Sequence, residues 1–166
     1  MKKITIFALT LLLMLSFSVT SFAASSTPDA LSLTDPTIAY LDNGDYIITS
    51  FTFSENFVNS QRSTNTITKT GTKTVSYYND DNELEWEYHL TGTFTVNPGV
   101  SAICTNASHS TSIYSSKWSF SDANTYTENN VAHGQGLFKK KVLLIAVKKV
   151  NIDVCITCDI NGNFTS

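Results

Sequence analysis

The chain has 166 residues, with 11 Lys and Arg against 14 Asp and Glu, giving a formal charge of −3. Averaged over its length, this mildly acidic balance argues against nucleic acid and anionic membrane surfaces as partners. Ser, Thr and Asn are abundant and aromatic residues make up 11%, a composition suited to pleated, half-buried surfaces and to an all-β fold.

Lys2 and Lys3 open the chain, an apolar run follows from Ile4 to about Leu15, and Ser21-Phe22-Ala23 places small residues where a leader is cut. This is the pattern of a secretory signal peptide over 1–23, cleaved after Ala23. The apolar run falls short of the ~20 residues a membrane span needs. Removing 23 residues from 166 leaves 143, and loss of two lysines moves the charge from −3 to −5. No lipid-attachment cysteine follows the cleavage point, so a freely secreted, extracellular chain is expected. Residues 24–37, broken by Pro28 and Pro36, read as a flexible N-terminal arm, and 38–166 as a single domain.

Asp42-Asn43-Gly44-Asp45 is a turn signal, and Tyr46 to Phe53 alternates as a strand does. A polar connection holding Phe57 leads to a long run from Thr66 to Tyr78. After Asp80-Asp81-Asn82 comes the clearest element. From Leu84 to Val96 every even position is apolar or glycine, and the odd positions are Glu85, Glu87, His89, Thr91, Thr93 and Thr95. Period two over this length predicts a strand with one face in a core and one in water.

With Asp81-Asn82 as the hairpin loop, Tyr77 faces Trp86, Val75 faces Tyr88, Ile67 faces Val96 and Gly71 faces Gly92. Lys69 and Lys73 then fall on the inward face. Either the hairpin overhangs the core there, or a bulge near Gly71 switches the phase. Further on, Val100–Thr105 and His109–Tyr114 read as one interrupted strand, Trp118–Tyr126 as another, and Val131–Lys141 with Val147–Cys158 as a closing pair. The apolar stretch Val142–Val147 between them is either a doubly buried strand or a greasy hairpin tip built on Leu143, Leu144 and Ile145. About seven strands without a helix predict an immunoglobulin-like β-sandwich, with a small closed barrel as the alternative.

Three cysteines in an exported chain imply one disulfide and one free thiol. Cys158 continues the inward face of Val154 and Ile156, Cys104 shares its face with Val100 and Ala102, and Cys155 points the other way. A Cys104–Cys158 bridge with Cys155 free is therefore expected, closing a loop of roughly 50 residues. Reading Cys155-x-x-Cys158 as a redox or metal motif fails because residues three apart on a strand point to opposite faces.

Other chemistry is sparse. His89, His109 and His133 lack metal-ligand spacing, and no nucleophile elbow or phosphate loop occurs. Asp159-x-Asn161-Gly162-Asn163 resembles half a calcium loop without the closing acid. Glu85 and Glu87, on one face, form a glycosidase-like pair without a second element to oppose them. Neither an enzyme, a cofactor nor a metal is expected. Tyr78, on the polar face, and Phe57 are the aromatic candidates for ligand contact.

Thr72-Lys73-Thr74-Val75-Ser76-Tyr77-Tyr78-Asn79, Trp86, Thr91-Gly92-Thr93-Phe94-Thr95, Cys104-Thr105, Tyr114-x-x-x-Trp118 and Thr157-Cys158-Asp159-x-Asn161-Gly162-Asn163 stand in this order. The pattern resembles a group of small exported all-β proteins of Gram-positive gut bacteria without an assigned activity. The resemblance implies that Cys104 and Cys158 are the group's pair, that Cys155 is an addition, and that Leu143–Ile145 is a hairpin tip. The expected function is a secreted, non-enzymatic binding module for an envelope glycan or protein. The alternative is a secreted antagonist or toxin-like factor touching the membranes of neighbouring cells through the apolar tip.

Overall fold

The computed structural model describes residues 32–33, 35–56, 66–143 and 145–165. The expected leader, Phe57 and Leu144 lie outside the described residues. The strands are β1 (Ser32–Leu33), β2 (Thr37–Tyr40), β3 (Tyr46–Asn56), β4 (Ile67–Tyr78), β5 (Leu84–Asn97), β6 (Ser101–Ile113), β7 (Trp118–Glu128), β8 (Val131–Val142), β9 (Ile145–Cys158) and β10 (Phe164–Thr165). No helix occurs among the described residues. The stretch expected to be an arm contributes β1 and the start of β2, both paired with β3.

The fold is all-β, with two antiparallel sheets that do not close into a barrel. One is six-stranded, in the order β1-β3-β4-β5-β6 with β2 also on β3; the other is four-stranded, β10-β9-β8-β7. Neighbours in sequence are neighbours in space from β3 to β6 and again from β7 to β10. This corrects the immunoglobulin-like expectation, because that arrangement interleaves strands by Greek-key crossovers. The reason lies in the turns. Asn82, Gly99, Asn129 and Leu143 hold left-handed backbone, at φ 63°, 75°, 52° and 49°, and each folds a strand straight back onto its predecessor.

The β4–β5 register matches the expectation: Tyr77 faces Trp86, Val75 faces Tyr88, Gly71 faces Gly92 and Ile67 faces Val96. The phase does not switch at Gly71. Nor does the hairpin overhang there: Lys69 points inward, is buried beneath the turn at Gly162, and is ion-paired with Glu55. The two glycines make room for rings. A Cβ on Gly71 would lie 2.8 Å from Phe51 Cζ, and one on Gly92 would lie 2.7 Å from Phe94 Cε2 and 2.8 Å from Ala132 Cβ. The interrupted strand expected over 100–114 is the single strand β6, with a register shift opposite Thr93 and Phe94.

The core lies between the inward faces. Trp86 stacks on Phe138 of the other sheet at 3.8 Å between centroids and on its cross-strand neighbour Tyr77 at 5.1 Å. Trp118 meets both Tyr77 and Trp86 edge-on. Such ring pairs contribute roughly 0.5–1.5 kcal/mol each beyond the area they bury.

Candidate functional site

The outer face of the six-stranded sheet carries a row of tyrosines that crosses several strands. Antiparallel pairing places Tyr40 opposite Tyr46 and Tyr46 opposite Tyr78. Tyr40 and Tyr46 are tilted together at 5.8 Å, and Tyr46 and Tyr78 stack at 4.9 Å with their planes 3° apart. On the far side Tyr114 donates its hydroxyl to Glu87 Oε2 at 2.7 Å. That hydrogen bond to a carboxylate holds the Tyr114 phenol above its ordinary pKa. Tyr40 is 77% exposed and Tyr114 58%, so both ends of the row stand in solvent.

Next to the tyrosines the same face is a lattice of hydroxyls. Thr52, Thr72, Thr91 and Ser108 stand in cross-strand register, as do Ser50, Thr74, His89 and Ser110. Thr72 and Thr91 are hydrogen-bonded at 3.0 Å, and Thr74 meets His89 Nδ1 at 3.0 Å. Period two dictates this arrangement, because Phe51 and Leu90 between the two rows point into the core.

A polar cleft of about 460 Å³ adjoins Tyr114 and is lined by Asp80, Asp81, Glu83, Glu85 and Lys117 among others. A bulge shapes it: Tyr77 pairs with Trp86 and Tyr78 with Leu84, which leaves Glu85 as the extra residue and turns its side chain inward. Glu85 is buried. Its Oε1 accepts from Asn79 Nδ2 at 3.3 Å and lies 3.6 Å from Lys140 Nζ, whereas Oε2 has no partner among the described residues. Glu87 instead faces outward, accepting from Ser76 at 3.1 Å and from Tyr114. The two carboxylates expected to share a face therefore diverge, and the glycosidase-like pair is not formed.

The turn that leads into Tyr46 is locked from below. Asp45 is buried, accepts from Tyr77 and from Lys148 of the other sheet at 2.6 Å, and accepts the Asp80 N–H at 3.1 Å. Burial alone would raise its carboxyl, but hydrogen bonds from Lys148, Tyr77 and Asn43 outweigh this and hold it at about 2. Burial first, and then the bond to Asp45, push the Tyr77 phenol far up.

Of the residues singled out by sequence, Tyr78 sits inside the tyrosine row. Leu143 and Ile145 sit at the opposite sheet's β8–β9 turn, 91% and 68% exposed; that segment is an exposed hairpin tip, not a doubly buried strand. The expected Cys104–Cys158 bridge is not formed: all three cysteines are thiols, Cys104 and Cys158 buried and Cys155 exposed. Both buried sulfurs instead bond backbone carbonyls, Cys104 that of Asn106 at 3.4 Å and Cys158 that of Asp159 at 3.7 Å. Burial pushes the Cys158 thiol up to about 11 and raises that of Cys104. The half calcium loop is self-satisfied. Asp159 Oδ1 accepts the N–H groups of Asn161 and Asn163, each at 2.8 Å, and Oδ2 accepts Asn163 Nδ2 at 3.0 Å.

Sequence reasoning missed Tyr40, Tyr46 and Tyr114, whose partnership depends on strand order. The turn signal at 42–45 placed Tyr46 at a strand start, yet nothing local says which ring it meets. No known protein family, no curated protein and no solved structure matches the chain.

Proposed function

We propose that this chain is an exported, non-enzymatic binding module that holds an envelope glycan against the outer face of its six-stranded sheet. The observation that carries the reading is the row Tyr40, Tyr46 and Tyr78, continued by Tyr114 beside Glu87. Aromatic rings offer flat apolar area with little entropy to lose, suited to the C–H faces of sugar rings. The neighbouring Thr and Ser lattice and the carboxylates of the cleft offer the acceptors and donors that sugar hydroxyls need. The leader pattern over 1–23 supports an exterior location for such a module. The test is an array of bacterial envelope polysaccharides probed with the labelled chain. Binding to a defined subset is expected, and an array without signal at high micromolar chain overturns the reading.

Export also assigns a fate to the cysteines. The backbone N–H groups of Cys104 and Cys158 bond to adjacent carbonyls of the β7–β8 turn, those of Asn129 at 2.8 Å and Asn130 at 3.1 Å. In an oxidising exterior their sulfurs are the two that join, leaving Cys155 free.

A further inference from the structure

The β8–β9 hairpin ends in an apolar tip that the glycan reading does not use. Val142, Leu143, Ile145 and Val147 are 48%, 91%, 68% and 58% exposed. Leu143 also holds left-handed backbone at φ 49°, where asparagine or glycine is the usual occupant and leucine is strained. At 91% exposure the Leu143 side chain buries almost no area that would offset this backbone strain.

Lysines ring the tip. Lys139, Lys140, Lys141, Lys148 and Lys149 flank it with no acid between 139 and 149. Lys139 faces Lys149 and Lys140 faces Lys148 directly across the strands, a like-charge pairing that destabilises a hairpin. Two of these charges are absorbed within the fold, Lys148 by Asp45 at 2.6 Å and Lys140 by Glu85 at 3.6 Å, and Lys139 leans on the exposed Asp122 at 3.5 Å. Lys141 and Lys149 are exposed and have no acidic partner among the described residues. Lys117, whose carbonyl accepts the Lys141 N–H at 2.8 Å, instead lines the acidic cleft with Asp80, Asp81 and Glu83. The chain-average acidity therefore conceals a local basic collar around a greasy point.

We propose that this tip docks the protein on an anionic lipid bilayer, with Leu143 and Ile145 entering the headgroup–acyl boundary and Lys141 and Lys149 resting on the lipid phosphates. Apolar area at the boundary and basic residues facing anionic headgroups are the two components of interfacial binding. Both are present here on one hairpin.

The test is co-sedimentation of the exported chain with equimolar phosphatidylglycerol–phosphatidylcholine vesicles and with pure phosphatidylcholine vesicles. Parent and variants share one N-terminus, so any contribution from it cancels. Binding to the anionic vesicles is expected, with at least ~10-fold less to the neutral ones and a decline as salt is raised. Leu143→Asn suits the left-handed turn and keeps the hairpin, so its thermal midpoint should match or exceed the parent's while vesicle binding falls ~10-fold. Lys141→Glu and Lys149→Glu should each weaken binding ~5-fold or more. Equal binding to both vesicle types, no binding to either, or anionic binding unchanged in Leu143→Asn overturns the proposal. So does a parent that instead self-associates through the tip, seen as a concentration-dependent mass abolished by Leu143→Asn.

Discussion

Tyr46 and Tyr78 stack at 4.9 Å with their ring planes 3° apart on the solvent face of the larger sheet, although 31 residues of chain separate them. Neither ring is needed to fill the core, which Trp86, Phe138 and Trp118 already occupy from the other side. Tyr78→Ala should therefore lower stability by less than about 1.5 kcal/mol, the size of a stacked aromatic pair. A denaturant titration measures it, and a loss several times larger would make the row part of the structural core.

Asp45 couples the two sheets through Lys148 and Tyr77, and its folded pKa of about 2 lies below the ordinary 3.8. A depressed carboxyl stabilises the fold fully above the unfolded pKa and loses that contribution as pH falls through the folded one. About 2 kcal/mol should disappear between about pH 4 and about pH 2. Asp45→Asn should be less stable than the parent at neutral pH and should flatten that part of the pH profile. Chemical denaturation at several pH values reads both effects.

Gly92 of β5 lies against Ala132 of β8 in the other sheet. An added Cβ would meet Ala132 Cβ at 2.8 Å as well as the Phe94 ring, and the alanine methyl is fixed to its backbone. Gly92→Ala should destabilise by about 1–3 kcal/mol through overpacking. Gly92→Ala combined with Ala132→Gly should recover part of the loss, and a thermal melt of the three variants measures the coupling.

The cysteines should separate by reactivity. In reduced protein Cys155 is exposed, whereas Cys104 and Cys158 are buried with raised thiol pKa values. Brief alkylation near neutral pH should mark Cys155 and spare the other two. Peptide mapping of material recovered from an oxidising exterior should find Cys104 joined to Cys158, and a bridge involving Cys155 would contradict this.

The sequence was most informative where a physical rule acts locally. Alternation from Leu84 to Val96 identified β5, but the turn holds Asp80, Asp81 and Asn82 rather than Asp81 and Asn82 alone, and Gly71 still meets Gly92 because the extra residue Glu85 restores the count. Strand order was not legible, because spacing counts strands without saying which ones pair, so an interleaved sandwich was expected where two meanders occur. The tyrosine row was hidden for the same reason: only Tyr78 stood out, and its partners come from other strands. Glu85 escaped because a bulge of one residue reverses the face that period two assigns it. The lysine collar was visible as residues yet lost in a chain-wide charge, since only the β8–β9 register brings Lys139 opposite Lys149.

The central claim is that the tyrosine row grips a glycan, and the most direct measurement is calorimetric affinity for the strongest array ligand. Parent chain should be compared with Tyr46→Ala and Tyr78→Ala at matched thermal stability. Each variant should bind at least ~10-fold more weakly, as central aromatic anchors do. Affinities indistinguishable from the parent in both variants would contradict the account.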